Sequence, residues 1–218
     1  MLVVGLGFLA VIATQLFGAD ERTPAVTLVW EGDSQSAEGA GVTATADIVV
    51  RLLDDVRHAR TFAIPGSVLD ALIARAPEVD ATLADFPGTR NVLVVWAGTN
   101  DLGFGHDPAL VHQKYRDYVT DRREAGWTVV VLTALPRSFV GDIPGYEERR
   151  QAFNELVRSD WEEWADLFVD VGGDTEVGRP GSQDDPDVFG PDLTHINEAG
   201  REVVAEEVAA AFGRLGIE

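Results

Sequence analysis

Four short blocks of this sequence carry side chains that could do covalent chemistry together: Gly32-Asp33-Ser34, Pro65-Gly66, Gly98-Thr99-Asn100-Asp101 and Asp192-Leu193-Thr194-His195. Ser34 offers a hydroxyl nucleophile, which is weak at neutral pH until a neighbouring base takes its proton. His195 is such a base. Asp192 stands three residues before it, so a turn can bring the carboxylate to one imidazole nitrogen. A carboxylate there fixes the tautomer and stabilises the imidazolium formed when the other nitrogen accepts the serine proton. Charge developing on a carbonyl oxygen needs donors, and the candidates are the backbone N–H groups of Ser34 and Gly66 and the side-chain amide of Asn100. Together these are the parts of an acyl-transfer site. Taken singly, each block also has an ordinary reading. Gly-Asp-Ser and Pro-Gly are common turns, Thr-Asn-Asp is a hydrogen-bonding loop, and Asp-x-x-His is routine before a helix. Asp33 and Asp101 read as loop-bonding residues without a chemical role.

The elements between the blocks decide whether they can meet. Compact apolar runs at Ala25–Trp30, Thr61–Ile64, Asn91–Trp96, Thr128–Leu132 and Leu167–Val171 read as buried strands. Between them, helical spacing predicts helices over Ala44–Val56, Val68–Phe86 (broken near Pro77), Pro108–Ala125, Tyr146–Trp164 and Asn197–Leu215. Pro108 suits a first helical turn and Gly126 a C-terminal cap. Residues Gly172–Pro191, rich in Gly, Asp and Pro, read as a long loop. All-apolar strands alternating with helices imply an α/β fold, a parallel sheet covered on both faces. Ligands of such sheets bind beyond the carboxyl ends of the strands. Ser34, Gly66 and Asn100 follow the first three strands and His195 the loop after the fifth, so all four belong to one edge.

Composition narrows the chemistry further. The 218 residues suit one well-packed domain. The absence of cysteine rules out disulfides, thiolate catalysis and cysteine-ligated metal. A formal charge of −20 disfavours a nucleic-acid partner, which would need basic patches. His106 lies in the loop after Asn100, near the presumed site, and reads as a solvated loop residue or a substrate contact. Trp161 and Trp164 read as core at helical spacing rather than a sugar platform. The Asp184-Asp185-Pro186-Asp187 cluster lacks a full calcium-ligand pattern.

Residues Leu2 to Gly18 are almost all apolar, and seventeen residues is at the short end of what crosses a bilayer. With Asp20 and Glu21 following, the run reads as a signal anchor or signal peptide, with a linker to about residue 24. The alternative is a buried strand or helix. The expected division is therefore an N-terminal segment 1–24 and a catalytic domain 25–218, extracytoplasmic and either membrane-anchored through that segment or secreted.

The blocks, in their order, resemble those of the SGNH hydrolase superfamily, also called GDSL-type esterases and lipases. The four name residues map to Ser34, Gly66, Asn100 and His195, and the likeness runs from Ala25 to about Phe212. The first block reads Gly-Asp-Ser-Gln instead of the leucine-containing form. The block Phe62-Ala63-Ile64-Pro65-Gly66-Ser67 lacks the asparagine often found shortly before the glycine. The resemblance implies a flavodoxin-like three-layer α/β/α sandwich with a five-stranded parallel sheet. It implies attack by Ser34 on an ester, His195 as base and then acid, Asp192 as its orienting carboxylate, and Ser34, Gly66 and Asn100 as oxyanion donors. No metal or organic cofactor is implied. The expected substrate is a small acyl ester, a carbohydrate O-acetyl group being one candidate. An O-acyltransferase using the same acyl-enzyme and a catalytically silent binding protein are the alternatives.

Overall fold

The computed structural model describes residues 25–39 and 41–218. The apolar run at 2–18, with the anchor reading attached to it, lies outside the described residues. Five strands form one sheet: β1 (Val26–Gly32), β2 (Val56–Thr61), β3 (Arg90–Trp96), β4 (Thr128–Leu132) and β5 (Leu167–Val169). All neighbours are parallel, in the order β2-β1-β3-β4-β5. Six helices connect or cover them: α1 (Thr45–Leu52), α2 (Leu69–Ala81), α3 (Thr99–Gly103), α4 (Pro108–Ala125), α5 (Tyr146–Trp164) and α6 (Glu198–Phe212).

Alternation along the strands sorts the core into two layers. Leu28, Trp30, Val92, Val94, Val130 and Leu132 pack toward α1 and α6. Val29, Leu93, Val95, Val129 and Val131 pack toward α2, α4 and α5. The architecture is thus the three-layer α/β/α sandwich. Local signals fix several helix ends. Asp107 caps α4 by accepting from the amides of Ala109 (2.8 Å) and Leu110 (3.3 Å), Pro108 fills its first turn, and Gly126 closes it at φ +109°. Asn197 caps α6 through the Gly200 amide at 3.0 Å.

The main departures from the sequence reading are two. The first helix stops at Leu52, and the second strand is Val56–Thr61, upstream of the apolar Thr61–Ile64. That strand reads Val-Arg-His-Ala-Arg-Thr and exposes everything after Val56. It is an edge strand with one neighbour, so no apolar pattern marks it. The second departure is α2, which runs through Pro77 unbroken. Proline forfeits one helical bond. Pro77 and Ile73, whose carbonyl loses its partner, are both exposed, so the lost bond falls on the solvent side of the helix.

Candidate active site

The chain leaves β1 toward β2 on one side, while β3 flanks β1 on the other. The connections run on opposite faces, and the crevice at that reversal is where an open α/β sheet places its ligand. Ser34 follows β1 and Asn100 lies in the first turn of α3, shortly after β3, so both stand at the mouth of this crevice. Gly32 makes the approach feasible: a Cβ there would come within 2.6 Å of the Trp96 carbonyl oxygen and 2.8 Å of Ser36 Oγ. Any side chain at 32 would push the Ser34 turn off the end of β3.

His195 reaches the same edge from the far end of the chain. Its Nε2 lies 2.8 Å from Ser34 Oγ, and its Nδ1 lies 2.7 Å from Asp192 Oδ2. The 189–196 segment folds back on itself to present the pair. Gly190 N donates to His195 O at 2.8 Å, and Leu193 N to Gly190 O at 3.0 Å. Leu193 turns the corner at φ +56°, the one positive-φ residue other than glycine among the described residues. A left-handed leucine costs on the order of 1–3 kcal/mol. Here it lets the Asp192 carboxylate double back onto the imidazole. Asp192 Oδ1 also accepts from the amides of Thr194 and His195, each at 3.0 Å. Partial burial alone would push this carboxyl up, but the His195 ring and the two amides outweigh it and hold the group below its ordinary value.

The expected oxyanion donors Gly66 and Asn100 are linked to the Ser34 turn through their neighbours. Gly66 sits at φ +78°, a turn conformation suited to glycine. Its loop is tied to β1 by Ile64 N donating to Gly32 O at 3.2 Å. Neither the Ser34 nor the Gly66 amide has a hydrogen-bond partner among the described residues. Asn100 Nδ2 donates one hydrogen to Ser67 O at 2.9 Å, leaving its second free, and Asn100 Oδ1 accepts from Arg137 Nη1 at 2.9 Å. Beside Ser34 and His195 opens a cavity of about 500 Å³ walled by Ala37, Val42, Pro65, Pro191 and Ile196.

The sequence pattern of the GDSL-like Lipase/Acylhydrolase family matches residues 31–203. The chain belongs to this family. Among its relatives is the GDSL lipase Rv0518 of Mycobacterium tuberculosis (strain ATCC 25618 / H37Rv), 28% identical over 145 residues. That match takes in 66% of this chain and 55% of the relative, so the likeness spans about half of the relative's length. Solved structures share the fold. A lipolytic protein of the G-D-S-L family from Veillonella parvula DSM 2008 superposes with a TM-score of 0.69 at 19% identity, covering 87% of this chain and 100% of that one. A catalytic mutant of Axe2, an acetylxylan esterase from Geobacillus stearothermophilus, gives 0.64 at 18%, covering 88% and 96%.

Around the family's name residues, this GDSL-like chain carries supports that local sequence patterns do not announce. Gln35, in the place of the family leucine, is buried, and its Nε2 donates to Thr194 O at 2.7 Å, joining the Ser34 turn to the His195 loop. Arg201 on α6 donates to the Ser34 carbonyl at 3.1 Å and the Ala37 carbonyl at 2.9 Å. Glu31, buried in β1, pairs with Arg75 at 2.8 Å and accepts from the Tyr118 hydroxyl. Arg75 in turn donates to Ser67 Oγ at 3.1 Å and Gly32 O at 3.3 Å, pinning the Gly66 loop to β1. One signal for Glu31 was present: a carboxylate inside an apolar strand must find partners to be buried.

The remaining sequence candidates stand apart from this centre. Asp101 Oδ2 accepts from Leu69 N at 3.0 Å at the start of α2, as a loop-bonding residue should. His106 lies 3.7 Å from Asp101 and is half exposed. Trp164 is core, and Trp161 stacks on Phe168. Asp185 accepts from Arg179 and from the Asp187 amide within its own loop.

Asp33 carries a stability consequence. It is buried next to Ser34 in the chain and accepts a hydrogen bond from the Gln35 amide at 2.9 Å. Burial outweighs that bond and the nearby charges of Arg137 and His195, pushing its carboxyl from 3.8 up to about 6. The folded state therefore holds a proton that the unfolded chain releases near pH 4. Stability declines as pH rises between those values and stays lower above about 6. Asp33→Asn removes the penalty. We expect it to gain on the order of 2–3 kcal/mol at pH 8 relative to any change at pH 4, a Tm difference of about 5 °C or more. Equal Tm differences at the two pH values would show that Asp33 is not protonated in the fold.

Proposed function

We propose that this protein is a serine esterase that hydrolyses a small acyl ester through an acyl-enzyme on Ser34. The observation that carries the reading is the unbroken line from Asp192 Oδ2 to His195 Nδ1 (2.7 Å) and from His195 Nε2 to Ser34 Oγ (2.8 Å). His195 takes the Ser34 proton as Oγ attacks the ester carbonyl, and Asp192 stabilises the imidazolium. The carbonyl oxygen, now an anion, is received by the Ser34 and Gly66 amides and the free Asn100 hydrogen. Collapse breaks the carbonyl–alkoxy bond, and His195 gives its proton to the departing alcohol. A water molecule then loses a proton to the same nitrogen, attacks the acyl-enzyme and releases the acid. Ser34 recovers its proton from His195.

Exposure favours water as the acceptor over a transferred sugar hydroxyl. The His195 side chain is 38% exposed and that of Asp192 53%, which leaves the acyl-enzyme open to solvent. The complete hydrogen-bonded line argues against a silent binding scaffold. An acetyl group on a carbohydrate is the first substrate class to try, because a structural neighbour is named as an acetylxylan esterase. With residues 1–24 as anchor or signal peptide and 25–218 as the catalytic domain, the proposed setting is extracytoplasmic. The acidic surface disfavours nucleic acid as a partner.

Treating the protein with a fluorophosphonate and locating the adduct by mass spectrometry tests the nucleophile. Labelling at Ser34 that disappears in Ser34→Ala is the expected result. A folded protein that takes up no label would overturn the reading.

A further inference from the structure

We propose that Arg137 is a positioning residue that orients and polarises the Asn100 amide; the inference rests on the oxyanion role just assigned to Asn100. A carboxamide has nearly the same shape after a half-turn, yet only one orientation aims an N–H at a developing oxyanion. The other aims an oxygen there and repels it. Something must choose between them, and the structure supplies two partners of opposite kind. Ser67 O can only accept and lies 2.9 Å from Asn100 Nδ2. Arg137 Nη1 can only donate and lies 2.9 Å from Asn100 Oδ1. A flipped amide would set two oxygens face to face on one side and two N–H groups on the other.

The guanidinium does more than lock the rotamer. A cation donating to an amide oxygen draws electron density from the amide nitrogen, which strengthens the N–H left for the substrate. Asn100 and Arg137 are themselves buried, so bulk water does not dissipate this polarisation.

Arg137 is itself held without slack. Its Nε and Nη2 donate to the two carboxylate oxygens of Asp142 at 2.9 and 2.5 Å, and the two side chains are 5% and 10% exposed. The guanidinium carbon lies 4.9 Å from the centre of the Tyr146 ring, and the Tyr146 hydroxyl bonds to Thr99, the residue before Asn100, at 2.6 Å. Gly103 leaves the space: a Cβ there would fall 2.0 Å from Arg137 Nη2. Ring, carboxylate and glycine together build a seat that fits a planar fork and not a flexible ammonium.

The test is a kinetic cycle on a chromogenic acetyl ester with the wild type, R137M, R137K, N100A and R137M/N100A. R137M is expected to lower kcat about 10- to 100-fold with KM changed less than about threefold, a fraction of the 10²–10³ that a lost oxyanion donor costs. R137K should restore part of the loss. In the N100A background R137M should cost less than about threefold more, because its effect passes through that amide. Because removing one charge strands Asp142, R137M/D142N is run alongside, and the same kcat loss in that folded pair supports the proposal. N100A impaired while R137M and R137M/D142N retain wild-type kcat would overturn the role of Arg137 alone. N100A with wild-type kcat would instead remove the oxyanion reading, and this proposal with it. Equal R137M losses in both backgrounds would show that Arg137 acts elsewhere.

Discussion

Ser34→Ala is expected to lower kcat/KM for a small acetyl ester by about 10⁴–10⁶-fold while leaving the thermal transition close to that of the wild type. In the proposed route the hydroxyl oxygen forms the covalent bond, and His195 Nε2 is placed 2.8 Å from it to take its proton. His195→Ala should fall to a similar floor. The pair acts as one unit, because an unprotonated base without its serine has nothing to activate and the serine without its base is a poor nucleophile. Ser34→Ala/His195→Ala should therefore be no worse than either single variant. Initial rates over a wide enzyme range, with circular dichroism melts as the folding control, decide the matter. A double variant that loses the product of the two single losses would mean that the residues contribute separately, and the acyl-enzyme route would have to be abandoned.

Asp192→Asn should cost about 10²–10⁴-fold in kcat with little change in KM. The argument comes from the loop amides. Asp192 Oδ1 accepts from both Thr194 N and His195 N at 3.0 Å, so an asparagine keeps those bonds only by turning its NH₂ toward His195. Facing a donor, Nδ1 must become the acceptor, and the ring proton moves to Nε2. There it points at Ser34 instead of accepting from it. The imidazolium also loses its counter-charge, although a carboxylate more than half exposed contributes less of this than a buried one. Steady-state kinetics with a fluorophosphonate rate measured in parallel checks both effects. A variant with wild-type labelling and turnover would place the orienting role on another group.

The parallel sheet and the blocks typical of the family were readable because both write themselves in local sequence. Val92–Trp96 is apolar on both faces, as a central strand must be, and Ser34, Asn100 and His195 sit directly at element ends. The edge strand Val56–Thr61 was not readable, since solvent on its open side relaxes the apolar requirement that marks β3. Nor were the supports. Gln35, Arg75, Arg137 and Arg201 all act on residues distant in sequence, Arg137 across 37 positions and Arg201 across 167. Arginine in a helix or loop carries no local sign of being buried. Only packing reveals that these guanidinium groups are structural members of the site.

The span of those contacts also orders events in time. Ser34 is fixed by its hydrogen bond to His195, by Arg201 on the last helix and by Gln35 reaching Thr194, contacts separated by 159 to 167 residues. Loops of that length close late, after the local helices and neighbouring strand pairs have formed. Under the proposed mechanism Ser34 has no base until the 189–196 segment reaches the sheet edge, so a chain lacking that long-range contact is expected to be unreactive toward a fluorophosphonate.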